Sequence, residues 1–139
     1  MYWEGQAVEQ SYTESAAWFR KAADQGHVEG QYRLGQMYAI GQGLPQDYAL
    51  AVEWYKRAAG QGMALAQYNL GALYVFGPGV DRDYAHAAHW FREAANQGLT
   101  AAQHNLGVAY REGQGVPWDF AQAAGWFLKA AQQGDAEAQ

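Results

Sequence analysis

Cysteine is absent from the 139 residues, which excludes disulfides, a thiolate nucleophile and a cysteine-ligated zinc site, and leaves the redox compartment open. Proline is scarce, at 3 residues, and charged side chains make up only 17% of the chain, with a formal net charge of -5. No basic stripe is available to neutralise phosphates, so no nucleic-acid partner is expected. Long apolar runs are missing as well. No stretch approaches the ~20 residues that cross a bilayer, and Met1 to Gln10 has neither the basic nor the apolar region of a leader, so no membrane insertion is expected. Valine, isoleucine and threonine are sparse beside alanine, glutamine, leucine and glutamate, which points to an all-α chain. Hydrophobic residues reach 50%, enough to bury a core in one domain or one short array of repeats.

What the chain does have is a period. Trp18, Trp54, Trp90 and Trp126 recur every 36 residues, as do Gly26, Gly62, Gly98 and Gly134, the pairs Leu34-Gly35, Leu70-Gly71 and Leu106-Gly107, and Tyr38, Tyr74 and Tyr110. Sliding 27–62 onto 63–98 gives roughly 16 identities, and 63–98 onto 99–134 roughly 19, where composition alone would give about two or three. The expected organisation is a single array over 1–139: a partial first repeat at 1–26, repeats at 27–62, 63–98 and 99–134, and the start of another at 135–139. Met1-Tyr2 aligns with Met37-Tyr38, so the first repeat is expected to begin near the end of a first helix.

Within one unit, Val28 to Ala39 carries apolar residues at helical spacing, and Gly41 is placed to stop the helix as a left-handed cap. After Gly41-Gln42-Gly43-Leu44-Pro45, the run Asp47 to Ala59 lines Tyr48, Ala51, Val52, Tyr55 and Ala58 along one stripe, with Gly62 just beyond. Pro45 suits a first helical position, and Asp47, Asp83 and Asp119 fall where a carboxylate caps free N–H groups. Two helices of about twelve residues cannot bury their apolar faces alone, so the units must stack. Gly35, Gly71 and Gly107 inside the first helices each cost ~1 kcal/mol of helix propensity, a penalty that fits close approach of two helix backbones. The four repeating tryptophans are then expected to fill the gaps between successive pairs.

The pattern Ala66-Gln67-Tyr68-Asn69-Leu70-Gly71-Ala72-Leu73-Tyr74, then Gly77-Pro78-Gly79-Val80, Asp83, Ala88, Trp90-Phe91, Ala94-Ala95 and Gln97-Gly98, resembles the Sel-one-like repeat (SLR), a relative of the tetratricopeptide repeat. The departures are modest: Ala7 stands where other units have Gly43, Gly79 and Gly115, Ser11 replaces the aspartate, and Phe120 replaces Tyr84. The resemblance implies a right-handed α-solenoid of antiparallel helix pairs, acting as an adaptor or scaffold for a protein or peptide. It implies no catalytic residues and no cofactor, and a bacterial periplasmic or cytoplasmic setting. Many members staple their helix pairs with disulfides, a device this chain lacks. Terminal repeats without polar caps would expose apolar surface, so the chain is expected to be a piece of a longer solenoid or to self-associate through its ends.

By analogy with the tetratricopeptide relative, the first helix of each unit would line the concave side. Partner-binding positions would then be Tyr32, Arg33, Gln36 and Ile40 in one unit and Tyr68, Asn69, Ala72 and Phe76 in the next. His104, Asn105, Val108, Arg111 and Glu112 would supply the third. Asn69 and Asn105 offer amide donors and acceptors to an extended backbone, while the aromatics supply anchoring area; the two asparagines could equally hold the solenoid together. Trp3 and Trp118 fall outside the repeating register and are further candidate contacts.

Other signals are weaker. His86 and His89 lie three apart on a helix, but no third ligand accompanies them, so no metal site is expected. The Gly-x-Gly loops at Gly41, Gly77 and Gly113 lack a following Lys-Ser/Thr and follow helices rather than strands, so they read as caps and turns. Ser11, Ser15, Thr13 and Thr100 sit in no nucleophile elbow. Glu29, Glu53, Glu93 and Glu112 occupy unmatched positions, which leaves a carboxylate enzyme acting on cell-wall material, or a purely architectural spacer, as alternatives to the binding module.

Overall fold

Every hairpin is entered through a glycine turn. At Gly62 (φ 95°) the amide N–H donates to Ala59 O at 3.0 Å and that of Met63 donates to Ala58 O at 3.3 Å, a left-handed helix ending that a Cβ would oppose. Gly26 and Gly98 repeat it, with φ of 87° and 94°. The computed structural model describes residues 2–138, with side chains from 10 to 134. Among the described residues there are seven helices and no strand: α1 (Tyr2–Asp24), α2 (Val28–Ile40), α3 (Tyr48–Gly60), α4 (Ala64–Phe76), α5 (Tyr84–Asn96), α6 (Thr100–Glu112) and α7 (Phe120–Ala138). Each packs chiefly on the helix before it and the helix after it. That nearest-neighbour pattern makes the fold an α-solenoid.

Inside each hairpin the loop is tied at two points. Asp47, Asp83 and Asp119 donate their backbone N–H to Tyr38 O, Tyr74 O and Tyr110 O at 2.9, 3.0 and 3.0 Å. Their carboxylates accept from the N–H groups of Leu50, His86 and Gln122 at 3.1, 3.0 and 3.1 Å, the expected caps. Pro45 does not begin α3; it lies in the loop two residues ahead of the cap Asp47. Gly77 also departs from the expected cap. Its φ is -70° where Gly41 and Gly113 have 81° and 68°, because the following Pro78 drives it to extended backbone.

The glycines inside the first helices face rings rather than backbone. A Cβ on Gly71 would come within 2.8 Å of the Phe91 ring, and Gly35 and Gly107 stand in the same relation to Tyr55 and Phe127. The close approach is therefore helix to aromatic, within one hairpin. Leu34, Leu70 and Leu106 are fully buried beside these contacts.

The tryptophans divide. Trp54 is 6% exposed and packs back toward α1, with the Arg20 guanidinium 5.9 Å and that of Arg57 4.4 Å from its ring. Trp90 is half-buried against the core built by α1 to α4, and Trp126 is half-buried against that of α5 to α7. Trp18 is 72% exposed, with the Lys21 ammonium 5.9 Å from its ring, and does not serve as the expected filler. An indole at this register packs onto the preceding hairpin, and α1 is the first helix described.

The two end helices also run longer than the repeat suggests. α1 passes unbroken through the stretch where a first helix was expected to end: Ala7 replaces the positive-φ glycine, and Glu9 stands at the position of Pro45, so nothing there stops a helix. α7 passes through Gly134 without the turn made at Gly26, Gly62 and Gly98.

A ladder of glutamines was not anticipated from the sequence. Gln31, Gln67 and Gln103 are buried and donate from Nε2 to Ala23 O, Ala59 O and Ala95 O at 3.4, 3.2 and 3.3 Å. Gln61 donates to Gly26 O at 3.1 Å and to Gln31 Oε1 at 2.7 Å, and Gln97 does the same to Gly62 O and Gln67 Oε1, both at 2.9 Å. Buried amides require such partners. At the last rung the Oε1 atoms of Gln103 and Gln133 have no partner among the described residues.

Candidate partner-binding face

The stripe that α2, α4 and α6 leave uncovered by their hairpin partners carries most of the residues singled out above. Each is placed by the ring beneath it. Tyr32, Tyr68 and His104 lean on Tyr55, Phe91 and Phe127 at centroid distances of 5.9, 5.9 and 5.3 Å, the same rings that fill the space over Gly35, Gly71 and Gly107. Tilted pairs at this distance are favourable aromatic geometry.

Tyr32 is 6% exposed and sits in the wall rather than on it. Its hydroxyl accepts from Gln36 Nε2 at 3.1 Å and from Asn69 Nδ2 at 3.4 Å. Burial pushes the pKa of the neighbouring Tyr55 phenol above its usual value, with the Asn69 amide acting weakly in the opposite direction. Asn69 thus belongs partly to the solenoid's own bonding, while Asn105 is half-buried and lines a cavity. Arg33 donates to Glu29 at 2.9 Å and to Gln36 at 3.2 Å. Arg111 donates to Glu112 at 3.1 Å and lies 5.6 Å over the Phe127 ring. Ala72 and Val108 are half-buried between them.

Phe76 is 75% exposed and Ile40 is also exposed. Both stand on the last turns of their helices. Phe76 forms the lip of a cavity of about 210 Å³ between α5 and α6, walled by Tyr84, Phe91 and Val108, with Asn105 and Gln114 as its polar groups. Tyr84 and Gln114 were not foreseen. Beside them on the wall, Ala109 stands where Met37 and Leu73 stand in the other units.

The remaining candidates do not join this face. Trp118 is exposed, with its ring edge-on to Phe120 at 4.3 Å; the Trp3 side chain lies outside the described residues. His86 Nδ1 meets Asp83 at 2.6 Å and its ring stacks on Tyr74 at 5.2 Å, while His89 turns to Trp90 at 4.8 Å. The capping bond and the His86 contact hold the Asp83 carboxyl below its usual pKa. Among the described residues no group of three or more His, Asp or Glu side chains gathers as a metal site, and no helix is long and apolar enough to cross a membrane. Glu53 and Glu93 are exposed on helices α3 and α5.

The Sel1 repeat family matches the chain at residues 1–27, 28–63, 64–99 and 100–135. Among solved structures, the chain is similar to c5321, a protective antigen present in uropathogenic Escherichia coli strains and displaying an SLR fold. The identity is 51% over 85% of this chain, with a TM-score of 0.82. The chain spans 25% of that protein's length. It is also similar to a Sel1 repeat protein from Oxalobacter formigenes, at 39% identity over 84% of this chain and 87% of the other, with a TM-score of 0.74. Helicobacter pylori cysteine rich protein B shares the fold, at 21% identity over 91% of both chains and a TM-score of 0.69. No curated protein matches. Four matched repeats, a stack of antiparallel helix pairs and these structural relatives show that the chain belongs to the Sel1 repeat family.

Proposed function

We propose that the chain is a binding module that holds a protein or peptide noncovalently on the uncovered face of α2, α4 and α6. The observation that carries this reading is Phe76, a large aromatic 75% exposed at the mouth of an apolar cavity. Leaving such a ring in water forgoes burial that a partner would restore, and aromatic anchors beside desolvated pockets are where binding energy concentrates. Asn69 and Asn105 add amide groups on the same stripe, suited to an extended backbone. The carboxylates favour binding over catalysis: Glu29 and Glu112 each lie exposed against an arginine. A spacer would tolerate substitution on this face.

The test uses a partner recovered with the intact chain, with affinity measured by calorimetry. Replacing Asn69 and Asn105 together by Ala should weaken binding by more than ~1 kcal/mol, and Phe76→Ala by ~2 kcal/mol, with the helical circular dichroism unchanged. Unchanged affinity in both variants would remove this face from consideration.

A further inference from the structure

The cavity under Phe76 has a counterpart. Between α1 and α2 lies a more open hollow of about 420 Å³, lined among others by Tyr12, Ser15, Phe19, Arg33, Gln36 and Met37. Adding 72 to these numbers gives Tyr84, Ala87, Phe91, Asn105, Val108 and Ala109, all of which line the α5/α6 cavity. The two hollows are therefore the same place in the repeat, two units apart, each between a second helix and the first helix of the following hairpin. Each is large enough for one side chain, since an apolar cavity of ~150 Å³ already accepts a benzene ring.

We infer that the two hollows act together, as paired anchor sites for one extended, uncharged peptide segment carrying two bulky apolar side chains about six residues apart. This rests on the binding reading above. The spacing follows from helix packing: a step of ~10 Å per hairpin places the hollows ~20 Å apart, which an extended chain rising ~3.3 Å per residue covers in about six residues. The absence of charge follows from what lies between. α4, which runs between the two sites, contains no Asp, Glu, Lys or Arg. At either side Arg33 and Arg111 are already closed by Glu29 and Glu112. A charged residue crossing α4 would lose water and meet no opposite charge. The α1/α2 hollow, with Ser15, Gln36 and Arg33 on its wall, also accepts a side chain with a polar tip, such as tyrosine, whereas the α5/α6 cavity is nearly all apolar.

The experiment is a series of fluorescein-labelled, amidated Ser/Gly peptides titrated with the full chain by anisotropy. The peptides carry either one phenylalanine or two, with the pair spaced three, six or nine residues apart. The pair at six should bind at least tenfold tighter than either single-anchor peptide, because the second contact forms at high effective concentration. Placing two aspartates or two lysines between the anchors should weaken it. Ala109→Leu fills the α5/α6 cavity with a side chain the same register holds at Leu73, and Ser15→Leu obstructs the other hollow; each should reduce the spaced pair to single-anchor affinity. Affinity that ignores spacing but falls in the Asn69/Asn105 double variant would overturn the paired sites and keep the face. Affinity that ignores both, or no binding by any peptide, would overturn the paired sites outright, and in the former case the face as well.

Discussion

Trp18 and Trp54 occupy the same register of successive repeats, yet one is 72% and the other 6% exposed. The difference lies in the neighbours. The middle hairpins have a helix on each side, whereas the described part of the molecule offers α1 and α7 one main packing partner each. In a stacked array, burial is a property of the interface between units, so identical residues carry different energetic weight according to position.

The largest effect that would sharpen this contrast is at the indoles themselves. Trp54→Ala should cost about 3 to 5 kcal/mol in urea unfolding, while Trp18→Ala should change stability by less than ~1 kcal/mol; equal costs would break the comparison. Next come the glycines. Gly71→Ala forces a methyl to within 2.8 Å of the Phe91 ring and should cost about 1 to 3 kcal/mol. Gly125→Ala, in α7 with open space around it, should raise the melting temperature by a gain of up to ~1 kcal/mol.

The glutamine rungs give a smaller contrast. Gln67 both donates to Ala59 O and accepts from Gln97, so Gln67→Met should cost about 1 to 3 kcal/mol. Gln103 lacks the second bond, and Gln103→Met should cost ~1 kcal/mol less in the same denaturation series. The smallest effect is at Asp83. Its pKa is lowered from 3.8 in the folded chain, so its stabilising contribution is complete above that value and is lost as pH falls through the lower folded value. Asp83→Ala should therefore flatten the decline of melting temperature below about pH 4, measured by circular dichroism against the parent chain.

Much of the fold was legible because it depends on local periodicity. The 36-residue spacing, the helix stripes, the Asp47-type caps and the left-handed Gly41 all follow from short-range backbone chemistry. What escaped depended on context. Pro78 overrides the expected cap at Gly77, the missing glycine at Ala7 lets α1 run on, and the exposure of Trp18 depends on what lies beside it. Most positions of the proposed face share one stripe of the first helices, as their spacing implied. Tyr32 proved to be wall because its ring is claimed by Tyr55, and the cavity under Phe76 arises where residues of α4, α5 and α6 meet, which no single helix spells out. The glutamine ladder was visible as letters recurring at 36 residues, but a polar side chain at a fixed spacing does not by itself announce that it is buried.

The ladder also carries an engineering consequence. Each inter-hairpin rung reaches back one unit and no further: Gln31 grips Ala23 O, Gln67 grips Ala59 O and Gln103 grips Ala95 O, while Gln61 and Gln97 tie their own hairpins to the entering glycine turns at Gly26 and Gly62. The hairpins are consequently interchangeable cassettes with matching couplings, and a duplicate of 63–98 spliced in after residue 98 would meet the same amide partners on both sides, lengthening the rod by one module without redesign.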